Sequence, residues 1–206
     1  VKPQAEITPG SDDIFQASDD SWGGANGYQK EDGTRQRARA FIGRTVSSTG
    51  AVRREVYIVD IPEDITIPGP DGPLEGTETS FPMPPLGTVQ RRLTWSSSNC
   101  GGIVRCSLDG SRIAFTRGGQ IHLISPLGGD SVQATSLSGN ATKPWWDPSG
   151  DYIYCVSDNS IWRTNVVDGD AHFGESEMIT DPTLYPGRAP DALCVSPNGQ
   201  WGLVLL

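Results

Sequence analysis

Three copies of one strand–turn–strand unit constrain this chain more than any other feature. The first is Cys106-Ser107-Leu108-Asp109-Gly110-Ser111-Arg112-Ile113-Ala114-Phe115-Thr116. The second is Trp146-Asp147-Pro148-Ser149-Gly150-Asp151-Tyr152-Ile153-Tyr154-Cys155-Val156. The third is Val195-Ser196-Pro197-Asn198-Gly199-Gln200-Trp201-Gly202-Leu203-Val204-Leu205. Each reads as a strand end, a tight turn and a more apolar strand. Ser107, Asp147 and Ser196 open the turns, 40 and then 49 residues apart. Gly110, Gly150 and Gly199 close them, where glycine accepts a positive φ without steric cost.

Further marks recur in step. Leu93-Thr94, Ala134-Thr135 and Ile179-Thr180 place an apolar residue and a threonine 13, 12 and 16 residues before the turns. Third strands align as Val56-Tyr57-Ile58, Ile121-His122-Leu123 and Ile161-Trp162-Arg163, which brings residues 38–61 into the series. A period near 40–45 residues with four strands per unit predicts a β-propeller. Each blade is amphipathic on both faces and buries them against its neighbours. The 25 glycines and 16 prolines suit many short strands joined by turns.

The expected fold is therefore an all-β propeller segment, about three four-stranded blades plus the start of another, with a short N-terminal helix. Residues 1–35 read as a lead-in. Within it a helix near 11–17 is capped by Ser11 and favoured by Asp12 and Asp13, and a mobile glycine-rich loop follows over 23–35. Residues 36–95 form the first blade, with a Pro/Gly-rich insertion at 62–87. The next blades are 96–135 and 136–180, and 181–206 is the truncated start of a further one. All belong to one propeller domain.

At this point the residues resemble a family. Ser196-Pro197-Asn198-Gly199, Ile113-Ala114-Phe115 and Val56-Tyr57-Ile58 are similar to the turn and strands of TolB-like propeller repeats. A narrower resemblance, to an uncharacterised bacterial family of TolB-like propellers, covers most of the chain. It is carried by Pro9-Gly10-Ser11-Asp12, Ala40-Phe41-Ile42-Gly43, Gly76-Thr77-Glu78-Thr79 and Val89-Gln90-Arg91-Arg92-Leu93-Thr94. Leu123-Ile124-Ser125-Pro126 and Ser196-Pro197-Asn198-Gly199-Gln200-Trp201 complete it, while Cys106 and Trp146 depart from the pattern. The resemblance implies a C-terminal half of a protein twice this length, a closed ring of about six or seven blades, and a bacterial cytoplasmic or periplasmic setting. The remaining half of the propeller, or another chain, is the implied partner of its open blade faces. The family brings no established activity with it.

Several function classes are disfavoured. A net charge of −9 argues against nucleic acid, and no apolar run is long enough to span a membrane. Four cysteines and two scattered histidines show no zinc spacing, so neither metal nor cofactor is expected. The cysteines read as free, buried, small hydrophobes. His122 takes the place of Tyr57 and Trp162 and reads as a packing residue, and His172 as surface. No Gly-x-Ser-x-Gly starts a hydrolase triad, so no catalytic residue is assigned.

Propeller geometry points elsewhere. Connections 96–102, 136–142 and 181–190 lead from one blade's outermost strand to the next blade's innermost strand, on the rim shared with the 46–53, 117–119 and 157–159 hairpins. The innermost strands then carry Arg105, Lys143, Trp145, Arg188 and Asp191, cationic and aromatic groups suited to a small ligand or peptide. The favoured function is a ligand- or protein-binding scaffold module acting at that rim. The alternative is a propeller enzyme acting on carbohydrate or lactone substrates.

Overall fold

The structure is a computed structural model that describes residues 1–181, 183, 190, 192–196 and 198–205. Sixteen strands are named in chain order. The first four-stranded sheet is β1 (Gln16–Trp22), β4 (Ala38–Val46), β5 (Val52–Asp60) and β6 (Val89–Arg92), in that spatial order. The small hairpin β2 (Tyr28–Gln29) and β3 (Arg35–Gln36) lies between β1 and β4 in sequence. The second sheet is β7 (Cys100–Cys106), β8 (Ile113–Arg117), β9 (Gln120–Ile124) and β10 (Val132–Gln133). The third is β11 (Thr142–Trp146), β12 (Tyr152–Ser157), β13 (Ser160–Asn165) and β14 (Ser176–Met178). The hairpin β15 (Ala192–Val195) and β16 (Gly202–Leu205) opens a fourth unit. All pairings inside the sheets are antiparallel.

Strands β1, β7, β11 and β15 touch in succession, so the sheets radiate from a common inner edge as propeller blades do. Alternation along each strand supplies the packing. Ala40, Ile42, Val56, Ile58 and Leu93 of the first blade meet Val104, Ile113, Phe115 and Ile124 of the second. The opposite face of the second blade offers Ala114, Ile121 and Leu123 to Trp146, Ile153 and Cys155 of the third. Arg112 bolts these two blades together from the turn side. It donates to the carbonyls of Gly150, at 2.6 Å, and Val166, and its guanidinium lies 5.0 Å over the Trp146 ring.

The repeated residues have repeated jobs. Gly110, Gly150 and Gly199 have φ of +77°, +82° and +69°. Each donates its N–H to the residue that opens the turn, Ser107, Asp147 or Ser196, at 2.9–3.0 Å. The three threonines are latches: Thr94, Thr135 and Thr180 accept the N–H of Val56, Ile121 and Ile161 at 2.9, 2.9 and 2.8 Å. Leu93, Ala134 and Ile179 donate to the carbonyls of those same residues. The apolar–threonine pair thus ends the outer strand on the third strand identically in every blade.

One expected element is corrected. Residues 11–17 are not helical; a 3-10 turn lies earlier, at Gln4–Glu6. Ser11 accepts the Asp13 N–H in a local turn at 3.2 Å. Ile14 is buried against Phe41 and Tyr57, and Phe15 donates to the Arg44 carbonyl at 2.9 Å. Tertiary pairing overrides a helix-start signal that local propensity alone supplied. From Gln16 the chain is strand β1, the inner strand of the first blade. Residues 23–35, expected as a mobile loop, include the β2–β3 hairpin and a Tyr28 only 2% exposed.

The 62–87 insertion contains no named strand, but it is pinned by Leu86 N–H to Ile67 O (2.9 Å) and Met83 N–H to Pro73 O (3.1 Å). No helix among the described residues is long and apolar enough to cross a membrane. All four cysteines are free; Cys100 and Cys155 are buried and Cys106 is partly so, but Cys194 is exposed, against the expectation of burial. It lies in the hairpin of the fourth unit, which has a described sheet on one side only.

Candidate functional site

The inner edge is built by β7 and β11. Val104 is fully buried between blades, so the next residue, Arg105, takes the opposite face of its strand. Its guanidinium stands 4.9 Å over the Trp145 ring. Trp146, one residue on, turns into the interblade core and donates its indole N–H to the Arg105 carbonyl at 2.8 Å. That bond fixes the two inner strands against each other and accounts for tryptophan at this point of the repeat. Arg105 is half-buried, with its Nε shielded from solvent and without a hydrogen-bond partner among the described residues. Burial pulls its pKa below the ordinary arginine value, yet an arginine remains a cation at neutral pH. A cation in this state favours an incoming anion.

Lys143 lies at a bulge where β11 slips against β12, between Thr142 and Trp145. Its φ is +53°, a left-handed conformation uncommon outside glycine. Its ammonium reaches to 3.4 Å from the Pro190 carbonyl, towards the connection into the fourth unit. Of the five residues expected at the rim, Arg105 and Trp145 are in contact, and Lys143 is two positions along β11. Arg188 and Asp191 lie outside the described residues.

Register refines the expected location. Arg105 pairs with Ala114, next to the 107–112 turn, and Trp145 pairs with Tyr154, near the 147–150 turn. Lys143 lies by the 136–142 connection instead. Arg105 and Trp145 thus lie nearer the turns and Lys143 nearer the 136–142 connection.

His122 and three of the cysteines are packing residues. His122 is 7% exposed and stacks on Phe115 with ring centroids 5.8 Å apart. Burial, with Arg117 beside it, lowers its pKa from 6.5 to about 4. The unfolded chain therefore binds that proton more tightly than the folded one. The stability contributed by the neutral ring is complete above about pH 6.5 and is lost as pH falls towards 4, amounting to roughly 3 kcal/mol at most. Urea titrations from pH 7 to 4.5 should show this slope in the native protein and a shallower one in His122→Phe. Burial also pushes the Cys100, Cys106 and Cys155 thiols up to about 11, 11 and 12, which makes them poor nucleophiles. His172 is exposed and held by Glu175 at 3.0 Å, which raises its pKa. Among the described residues, no group of three or more His, Cys, Asp or Glu side chains is arranged to hold a metal.

Two clusters escaped the sequence reading. One is the buried pair Glu55–Arg92 beneath the connection rim. Arg92 Nη2 donates to Glu55 Oε1 at 3.0 Å, Thr94 donates to Oε2 at 2.5 Å and the Ser96 N–H to Oε1 at 2.9 Å. The other is a cationic cleft in the first blade, lined by Trp22, Lys30, Arg35, Arg37 and Glu63. The density of arginine and lysine over 30–37 in an acidic chain was the available signal for it.

The solved structure of a TolB from Agrobacterium tumefaciens superposes with a TM-score of 0.55 at 18% identity, over 96% of this chain and 56% of that one. The chain is a segment of a TolB-like β-propeller. An Escherichia coli (strain K12) protein described as uncharacterised, YidR, is 36% identical over 209 positions, covering 94% of this chain and 46% of that protein. This TolB-like chain thus spans less than half the length of that relative. A structure from Bacteroides uniformis described as a 6-phosphogluconolactonase reaches a TM-score of only 0.42 at 13% identity, covering 86% of this chain and 63% of that one, and carries no argument. No protein-family model matches the TolB-like chain.

Proposed function

We propose that this propeller is a binding module that takes an anionic group of a peptide or small ligand on its inner wall. The observation that carries this reading is Arg105: a half-buried cation stacked on Trp145, with no carboxylate partner among the described residues. Its guanidinium presents a planar fork suited to a carboxylate. The exposed part of Trp145 offers an apolar surface to the neighbouring portion of the ligand. Lys143, held by its bulge on the same strand, adds positive charge farther along the wall.

The test uses peptides with free C-terminal carboxylates, compared with the same peptides as C-terminal amides, in equilibrium binding at low salt. The acid forms should bind and the amides should bind at least about tenfold more weakly. Arg105→Met should remove the difference while leaving the unfolding midpoint nearly unchanged. Equal binding of both forms, or binding unaffected by Arg105→Met, would overturn the assignment. Hydrolysis of a carbohydrate or lactone, lost in an inner-wall variant, would establish the enzyme reading instead.

A further inference from the structure

The connection between the first two strands of a blade is only five or six residues long in the second, third and fourth units. The first blade replaces it with residues 23–37, which carry the β2–β3 hairpin. This insertion is bound to the second blade and to its own sheet. Ala25 donates its N–H to Leu108 O at 2.9 Å, and Arg35 Nη1 donates to Asp109 O at 2.7 Å and Gly27 O at 2.9 Å. The buried Tyr28 donates its hydroxyl to Asp60 at 3.0 Å and receives Arg91 Nη2 at 2.7 Å. Gln36 donates its amide to Ile61 O at 2.8 Å. The backbone is packed so closely that a Cβ on Gly24 would stand 2.6 Å from the Gly110 Cα. Neither Gly24 nor Gly27 has room for a side chain, so the insertion is held in one conformation.

Between this insertion and the start of the 62–87 segment lies a cleft of about 1000 Å³. Lys30, Arg35 and Arg37 converge on it although the chain carries a net charge of −9. Arg35 is committed to backbone carbonyls. The side chains of Lys30 and Arg37 have no hydrogen bond or ion pair among the described residues. Trp22 forms one wall, 60% exposed, and its ring is fixed by the Arg39 guanidinium 5.0 Å away, itself paired with Asp20. Glu63 is the carboxylate of the lining.

We propose that this cleft is a second binding site, for a small hydroxylated anion, a molecule with a phosphate or carboxylate group and free hydroxyls. Lys30 and Arg37 receive the anion, carried on a backbone already held in place by the insertion's contacts. Trp22 covers the ligand's carbon skeleton, and Glu63 accepts hydrogen bonds from its hydroxyls. A carboxylate in the same lining as two cations selects against a bare anion and for one that also carries donors.

Calorimetric titration with glucose 6-phosphate and with citrate at low salt tests the site and separates the phosphate from the carboxylate source. Glucose and inorganic phosphate serve as controls. At least one of the two hydroxylated anions should bind, and glucose should not. The double variant Lys30→Gln/Arg37→Gln should weaken that binding at least about tenfold without moving the unfolding midpoint. Glu63→Gln should tighten inorganic phosphate and reduce the preference for the hydroxylated anion. Absence of binding of both anions at about 10 mM, or unchanged affinity in the double variant, would overturn the proposal. Neither result bears on Arg105, so the two sites stand or fall separately.

Discussion

Arg92→Met is expected to destabilise the protein by about 3–5 kcal/mol, whereas Glu55→Gln combined with Arg92→Gln should cost less than about 1 kcal/mol. The side chains of Glu55 and Arg92 are 0% and 4% exposed, so either charge left alone would be stranded away from water. The repeat itself indicates which replacement is tolerated. Gln120 occupies the position of Glu55 one blade on, immediately before the third-strand residue that Thr135 latches. It accepts from the Thr135 hydroxyl at 2.8 Å and the Leu137 N–H at 3.0 Å, as Glu55 accepts from Thr94 and Ser96. Gln133 occupies the position of Arg92 and donates to Thr135 O at 2.7 Å, as Arg92 Nε donates to Thr94 O at 2.7 Å. The third blade has Ser160 and Met178 there. Both partners are charged in one blade and neither is in the next, and the hydrogen-bond frame survives the exchange. Urea denaturation of Arg92→Met, of Glu55→Gln and Arg92→Gln singly, and of the double decides this. A double variant as unstable as the sum of the singles would show that the charges act independently.

Gly110→Ala should cost about 3 kcal/mol or more, and Gly150→Ala only about 1 kcal/mol, although the two glycines hold the same place in the repeat. Both have positive φ, so both variants carry backbone strain. Their surroundings differ. A Cβ on Gly110 would run into the Gly27 carbonyl and stand 2.7 Å from the Gly23 carbonyl, both backbone atoms that cannot step aside. A Cβ on Gly150 meets only an Arg112 nitrogen at 3.9 Å. The excess cost at Gly110 measures how tightly the 23–37 insertion is seated on the second blade. Gly110→Ala should also open that insertion to limited proteolysis, and Gly150→Ala should not. Equal destabilisation by both variants would mean that the contact contributes no constraint.

Legibility of the sequence followed burial. Turns with a glycine at fixed φ and threonines latching a strand impose a residue type at a fixed spacing, so they could be read from the chain alone. The third strands could be read because Val56, Ile121 and Ile161 are buried at matching positions. Strand β1 could not. Its Gln-Ala-Ser-Asp-Asp-Ser-Trp sequence lies on the inner edge with almost every residue exposed, so it has no apolar alternation, and the helix-start signal of Ser11, Asp12 and Asp13 runs directly into it. The β2–β3 hairpin is likewise too short and polar to announce itself; contacts distant in sequence, with Asp60, Ile61, Arg91 and Asp109, hold it. Among the candidate site residues, Arg105 and Trp145 were legible as inner-strand positions, but their contact crosses two blades. Glu55 looked like any other residue before an apolar run, because the residues that make it a buried ion pair lie about forty positions away.

The central claim, that the inner wall around Arg105 and Trp145 is where this TolB-like propeller binds its ligand, is tested most directly by following the indole N–H resonances of its tryptophans. A short peptide with a free C-terminal carboxylate should shift the Trp145 signal, leave that of Trp146 in the interblade core nearly unmoved, and lose its effect in Arg105→Met. Shifts absent from Trp145, or persisting unchanged in Arg105→Met, would contradict it.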